Sequence, residues 1–390
     1  MKKYLLLLLA TAMIGNVQAQ SNTELQEQID NIYDVIAKDV ANRWKFKGDF
    51  RFRNEDITQE LASDRNRNRI RVRVGATAIV NDNIKAEVQF ATTENGDARS
   101  SNQTLGDSNS RKALDLDLAY AEWTMNDYVK VIVGKHKYAW YKSNSYFFDG
   151  DVNPEGLSVT YNHPQSGLFG SATMVDLSER STATDSGMIG YQVGQRGKIN
   201  TDTNYVIAVG LFDHKSVEGY SVQQSSSAGG TFGNTTKTVG CLAGATSCYT
   251  NDYDVLMANA ELNTRLFDMP VVLFADYAKN DKAKLYNKAY AYGFTIGKAS
   301  LPGSYELGYV NQFVEKDALF AQWIDSDYAA GNTDGKGQAV RGAYQLNKNW
   351  RANFTYFMNK TNVDVPVTVS GKTLRERDYK RLQLDLNYTF

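Results

Sequence analysis

Basic side chains recur at every second position near the start of this chain. Lys45, Lys47, Arg51 and Arg53 form one run, and Arg69, Arg71 and Arg73 a second. In an extended segment, residues two apart share a face, so each run is a ladder of positive charge. Arg341, Arg351 and Arg381, late in the chain, are expected to extend the same wall. Such closely spaced cations are tolerable only where water or anions share the space. The chemistry they offer is attraction and passage of solutes rather than bond making.

The counterweight is the segment 137–155. Tyr138, Trp140, Tyr141, Phe147 and Phe148 are too many aromatic rings for a loop left in solvent. The expectation is that it folds inward against a wall, so that Asp149, Asp151 and Glu155, joined by Asp115 and Asp117, oppose the basic ladder. Opposed rows of charge at a narrow point set selectivity through sign and width together. Two plainer readings remain open: a solvated polar face, and an outward loop whose aromatics pack on a neighbouring subunit.

Other chemistry finds little support. His136, His163 and His214 are far apart and fall near strand ends, where they read as ordinary rim residues, and no Ser/His/Asp constellation accompanies them. No enzyme activity and no cofactor are expected. Asp325, Asp327, Asn332 and Asp334 supply oxygen ligands, but their spacing does not match a calcium loop. That segment reads as a solvated loop, with no metal site. Cys241 and Cys248 stand in a Gly/Ser/Thr-rich stretch; in an exported chain they are expected to form a local disulfide that ties down one loop.

Export is written at the N-terminus. Lys2 and Lys3, the apolar run Leu5–Ile14 and the small residues around Ala19 read as a signal peptide, 1–19. Its apolar core is too short to span about 30 Å of hydrocarbon. Residues 20–43 form an arm, helical over 22–41, where Leu25, Ile29, Ile32 and Ile36 make one stripe. The stripe suits a short coiled-coil seam, a plug at the barrel mouth, or a marginal helix.

From residue 44 to 390 the hydrophobic period is two. The end of the chain shows it best: Leu382, Leu384, Leu386, Tyr388 and Phe390 alternate with Arg381, Gln383, Asp385, Asn387 and Thr389. Leu114, Leu116, Leu118 and Tyr120 are read as sharing a face opposite Asp115 and Asp117. Sixteen strands are expected, near 44–54, 67–80, 83–93, 112–125, 128–136, 156–163, 167–178, 187–199, 204–213, 253–264, 270–280, 287–298, 303–315, 338–347, 350–360 and 379–390. The connections alternate between tight turns, such as 81–82, 126–127 and 348–349, and long polar segments, such as 94–111, 214–252 and 316–337. Short turns on one side and long loops on the other are the signature of a transmembrane barrel.

The fold class is therefore all-β: a sixteen-stranded antiparallel transmembrane β-barrel with a short N-terminal helix. Closure is required because an open edge in lipid leaves backbone groups unpaired, and sixteen strands enclose water rather than a packed core. Composition, with 24 Tyr, 17 Phe, 30 Gly and only 5 Pro at a mean hydropathy of −0.46, fits such a barrel but equally a secreted β-sandwich or β-helix, so it does not decide. A formal net charge of −1 names no partner, and no nucleic-acid partner is expected.

These features together resemble a Gram-negative porin of the sixteen-stranded type, in particular the "putative porin" families of proteobacteria. The residues that carry the resemblance are Ala119-Tyr-Ala-Glu-Trp123, Gly134-Lys-His-Lys-Tyr-Ala-Trp140, Phe148-Asp-Gly-Asp-Val-Asn-Pro-Glu-Gly156 and the terminal Phe390. The resemblance implies a homotrimer in the cell outer membrane, in contact with its lipid. It implies passage of ions and small hydrophilic solutes, with the third loop at the constriction. It implies a terminal strand read by the outer-membrane assembly machinery. The helical arm departs from the plainest porins and is similar to the N-terminal coiled coils of some subfamilies. A mild anion preference is expected. Other readings are a substrate-specific channel for an organic anion or sugar, and a non-conducting adhesin or structural barrel displaying loop 214–252.

Overall fold

The computed structural model describes residues 22–144, 146–221 and 230–390. The expected signal peptide, 1–19, lies outside them. Helix α1, Asn22–Arg43, runs directly into the first strand. Of its stripe, Ile29 and Ile32 are exposed, as is the adjoining Tyr33.

Sixteen strands follow in chain order: β1 (Trp44–Gln59), β2 (Arg65–Asn81), β3 (Ile84–Thr93), β4 (Ala113–Thr124), β5 (Val129–Lys135), β6 (Glu155–Asn162), β7 (Leu168–Ser178), β8 (Ser186–Lys198), β9 (Asn204–Lys215), β10 (Tyr253–Leu266), β11 (Met269–Asn280), β12 (Lys288–Gly297), β13 (Tyr305–Val314), β14 (Gly335–Gln345), β15 (Trp350–Thr361) and β16 (Arg377–Thr389). Each pairs antiparallel with its sequence neighbour. β16 returns to pair with β1, from Asp49↔Thr389 to Gln59↔Tyr379, so the sheet closes. Phe390 and Gly48 exchange backbone hydrogen bonds of 3.1 Å at the seam. A Cβ at Gly48 would collide with the Phe390 ring, which explains a glycine there.

The barrel is inside-out relative to a soluble sheet. Tyr191, Val193, Ile207, Val209 and Leu211 are about half exposed on the outer face. Their inward neighbours Gln192 and Phe212 are buried. That exterior apolar band is what lipid requires.

Three of the tight turns are built alike. The side-chain oxygens of Asn81, Asn126 and Asn347 each accept two backbone N–H groups from residues two and three positions on. This side-chain mimic of a turn fixes each hairpin's register. At the other end lie the longer loops, numbered L1 to L8 in chain order. Four matter below: L2 (94–112), L3 (136–154), L5 (216–252) and L7 (315–334).

The expected alternation in β4 is corrected. A bulge pairs Gln89 with Leu118 and Phe90 with Leu116, skipping Asp117. A bulge puts two residues opposite one and flips the faces beyond it. Leu114 and Leu116 therefore point out, about half exposed, whereas Leu118 is 1% exposed. Tyr120 now points in and its hydroxyl donates to Glu87 at 3.0 Å.

The candidate site in the barrel lumen

The ladder residues project inward, and they do so among carboxylates. Arg71 donates twice to Asp49 Oδ1, at 2.9 and 2.7 Å, and Arg73 Nε donates to Asp49 Oδ2 at 2.7 Å. Arg53 grips Asp385 with two hydrogen bonds of 2.6 and 2.8 Å. Such paired N–H···O bonds are the strong, geometry-specific form of ion pair. Glu55, with no exposed surface, receives Arg381 at 2.6 Å and Arg67 at 2.6 Å, with Arg69 at 3.8 Å and Arg53 at 3.5 Å. Arg51 donates to the Asn387 side chain at 3.0 Å and lies 3.8 Å from Asp385. Lys47 pairs with Glu87 at 2.5 Å, and Lys45 is exposed near the tight-turn end.

Arg341 and Arg351 are placed apart from this network. Arg341 donates to Thr295 at 2.9 Å, and Arg351 lies 3.9 Å from Glu306. Arg341 and Glu306 border a separate cavity of about 290 Å³ with Tyr146, Phe274 and Tyr309.

L3 lies against the inner surface of the strands from β7 to β12. Trp140 packs on Phe212, ring centroids 5.2 Å apart, and Phe148 on the same ring at 5.6 Å. Trp140, Phe147 and Phe148 are each at most 5% exposed. Tyr138 packs on Trp140 at 4.8 Å. Tyr141 donates to Glu261 at 2.8 Å, and its backbone exchanges two hydrogen bonds with the Gln192 side chain. Ser143 and Asn144 both donate to Asp276. Aromatic contact and polar anchoring thus hold the loop to one arc of the wall.

The acidic residues do not act as one row. Asp151 faces the ladder: its carboxylate lies 3.7 Å from Arg73 and accepts the Ser101 amide and hydroxyl from L2. Burial works against its charge, but Arg71, Arg73 and Arg51 outweigh that and hold it down at about 2. Asp117 accepts from Gln89 and Asn153, and Asp115 is exposed beside it on a small cleft. Glu155 is corrected in partner: it binds Lys135 at 2.7 Å, at the start of β6, instead of a ladder arginine. Asp149 is corrected as well. It faces L7, where its backbone N–H donates to the Trp323 carbonyl at 2.7 Å and its carboxylate accepts the Ser326 N–H at 3.0 Å. Burial, then the nearby charges of Asp325 and Asp151, push its carboxyl well above the usual range.

L7 is the largest departure from the sequence expectation. The stretch from Asp325 to Asp334, read as a solvated loop, has no exposed residue, and Tyr328, Ala329, Thr333 and Asp334 are at most 3% exposed. Just before it, Ala318, Leu319, Phe320, Ala321, Trp323 and Ile324 are at most 5% exposed. Asp325 accepts the backbone N–H groups of Asp327 and Tyr328; burial and Asp327 push it up to about 7. Asp327 reaches Arg381 at 2.8 Å and Arg53 at 3.2 Å. Asp334 accepts backbone N–H groups from the loop before β16. These oxygens are committed to the protein. The signal in the sequence was the apolar run Leu319-Phe-Ala-Gln-Trp-Ile324 inside a polar loop.

His136 and His214 are also corrected: they are buried, at 1% and 2% exposure, not open rim residues. His214 sits among the rings of Phe320, Trp323 and Tyr253. His136 meets Ser158 at 3.3 Å, but Ser158 has no exposed surface. His163 stacks on Tyr128 at 4.9 Å in a turn. Cys241 and Cys248 form a disulfide, Cα atoms 5.6 Å apart, within L5.

A closed sixteen-stranded antiparallel barrel, apolar outside and charged within, with a loop laid along its inner wall, is of the porin type. The family model described as "putative porin" matches residues 56–243, from within β1 to the disulfide loop, and the chain is similar to that family. No curated protein sequence matches. Among solved structures, Pseudomonas putida OprB is similar, with a TM-score of 0.58 at 12% identity, covering 92% of this chain and 97% of its own. Salmonella typhi OmpF, in complex with daunomycin, aligns with a TM-score of 0.53 at 11% identity, covering 89% and 97%. At such identities the likeness concerns the fold.

Proposed function

We propose that this protein is an outer-membrane porin of a Gram-negative bacterium, passing ions and small hydrophilic solutes by passive diffusion. One observation carries the reading: the inward faces of β1, β2 and β16 bear a dense arginine–carboxylate network, while the outward faces are apolar. A dry core could not hold so many charges, and lipid tolerates only the apolar side. L3 then acts as the constriction. In the network Arg51, Arg53, Arg67, Arg69 and Arg381 share Glu55, Glu94, Asp327 and Asp385. One guanidinium in excess on this wall supports a mild anion preference, against which the inward Asp117, Glu261 and Asp276, bonded to neutral groups, count.

The terminal strand ending in Phe390, its Leu384 and Leu386 facing outward, suits the assembly machinery. The exposed Ile29 and Ile32 on α1 suit a seam between three copies. Liposomes carrying the purified protein should swell in sugars of graded size, with a sharp cutoff. A folded protein that admits none of them contradicts the proposal.

A second reading has its own observation. The cavity beside L3 combines Arg341 with Phe274 and Tyr309, surfaces that suit an organic anion or sugar. Saturable block of conductance by one such solute would distinguish a specific channel from a general one.

A further inference from the structure

We infer that L7 is a second selectivity element of the lumen and that Asp327 is its specificity-determining residue. The inference rests on the channel reading and goes beyond it, because the charge of the pathway is then set by a loop distinct from the constriction loop L3.

The position of Asp327 is the first ground. It is carried on a loop, yet its carboxylate lies on the strand wall, at 2.8 Å from Arg381, 3.2 Å from Arg53 and 2.9 Å from Gln383 Nε2. Its side chain is still 19% exposed. With Arg67, Arg69, Arg99 and Arg381 it lines a cavity of about 240 Å³. It therefore binds the wall and also keeps part of its surface open to that cavity.

Charge is the second ground. Glu55 and Asp385 are fixed on strands, and Glu94 stands at the start of L2. Without Asp327 these three carboxylates serve five arginines; with it, the excess of positive charge falls from two to one. A change of one charge in a narrow aqueous passage with low-dielectric walls alters ion occupancy severalfold. L7 thus tunes the basic wall towards neutrality.

The third ground is that L7 is held in place by contacts that lie outside the arginine network. From outside, Asn234 of L5 donates to the Lys316 and Leu319 carbonyls at 2.8 and 2.9 Å and accepts the Ala321 N–H at 2.9 Å. Thr235 donates to Asp317 from its amide at 2.8 Å and its hydroxyl at 2.5 Å. Tyr249, next to the disulfide residue Cys248, accepts from Gln322 at 2.9 Å. From inside, L3 binds it through Asp149, as above. Ala329 and Ala330 adopt left-handed backbone, φ 47° and 59°, which costs roughly 1 kcal/mol per residue. The Ala329 N–H bond to Asn359 Oδ1 at 3.0 Å helps hold that turn. A loop clamped this way presents its carboxylate at a fixed point.

The test is the reversal potential in a KCl gradient across planar bilayers, for wild type, Asp327→Asn, Asp327→Glu and Asn234→Ala. Asp327→Asn should raise the chloride-to-potassium permeability ratio on the order of threefold, and Asp327→Glu should leave it near wild type. Asn234→Ala removes no lumen charge but frees L7 from its outer clamp; it should shift the ratio in the same direction and raise conductance. If Asp327→Asn fails to fold, Asn234→Ala decides. A folded, conducting Asp327→Asn with an unchanged reversal potential overturns the inference while leaving the channel reading intact. A folded wild type that does not conduct overturns both.

Discussion

Two arcs of the same barrel wall hold their contents by opposite means. Along β7 to β12, the wall meets L3 through rings, with hydrogen bonds to Gln192, Glu261 and Asp276 beside them: Trp140 and Phe148 share Phe212, and the stacked pair Trp140–Trp323 extends the cluster to L7. Along β16, β1 and β2, it meets solvent and Asp327 through guanidinium and carboxylate groups. On the channel reading proposed above, the first arc fixes where the loops are, and so the width, and the second fixes the potential. Because the two depend on different forces, substitutions should separate them: ring losses should alter stability and conductance, and charge losses should alter selectivity.

The largest expected effect is on the aromatic arc. Trp140→Ala removes a buried ring at the junction of L3, L7 and the wall and should cost about 4 kcal/mol. Conductance should rise and fluctuate as L3 comes loose. Chemical denaturation in detergent together with single-channel records would check both. Next comes Glu55→Gln, which strips the shared acceptor from buried arginines and should cost about 3 kcal/mol, with a shift towards anions. If Trp140→Ala moved selectivity as far as Glu55→Gln does, the division between the arcs would fail. Smaller again is Cys241→Ser. Opening the disulfide should loosen L5 by about 2 kcal/mol, seen as faster proteolysis within L5, while the barrel's unfolding midpoint stays put.

The joint between L3 and L7 should respond to pH. Asp149, raised, and Asp325, raised to about 7, are faced by Asp151, Asp327, Lys142 and Arg99. A carboxyl whose value rises on folding favours the folded joint fully below its ordinary value of 3.8; that contribution is lost as pH rises through about 7. Conductance should therefore be larger and noisier at pH 8 than at pH 5. The opposite order would place the acids elsewhere. The smallest effect belongs to Glu155→Gln. Its pair with Lys135 is largely exposed, at 63% for the Glu155 side chain, and should be worth about 0.5 kcal/mol or less, with no change in selectivity.

How far the sequence revealed this arrangement depends on which period is local. Strands alternate every two residues, and asparagine turns are short, so all sixteen strands were legible, most within two residues of their ends. β1 was the largest exception, expected to stop at residue 54 and running to Gln59; β14 starts at Gly335, three residues before the expected 338. The truncation of β1 hid Glu55, which continues the inward face of Arg51 and Arg53 and is the acceptor the ladder needs. The bulge at Asp117 was hidden because an inserted residue leaves the hydrophobic pattern looking regular. Inward folding of L3 was legible from its aromatic density. Inward folding of L7 was not, although Phe320 and Trp323 carried the same signal more faintly, because the acids around them favour a solvated reading when no wall is in view. Contacts between L5, L7 and Arg381 span large sequence separations, and only the closed barrel brings them together.

The most direct measurement is the current through single molecules of the purified, folded protein in a planar bilayer. Discrete, ohmic conductance steps with a mild chloride preference are expected on the proposed channel reading. A folded protein that inserts and passes no current would mean that the loops seal the barrel, and a strong potassium preference would mean that the arginine wall does not face the pathway.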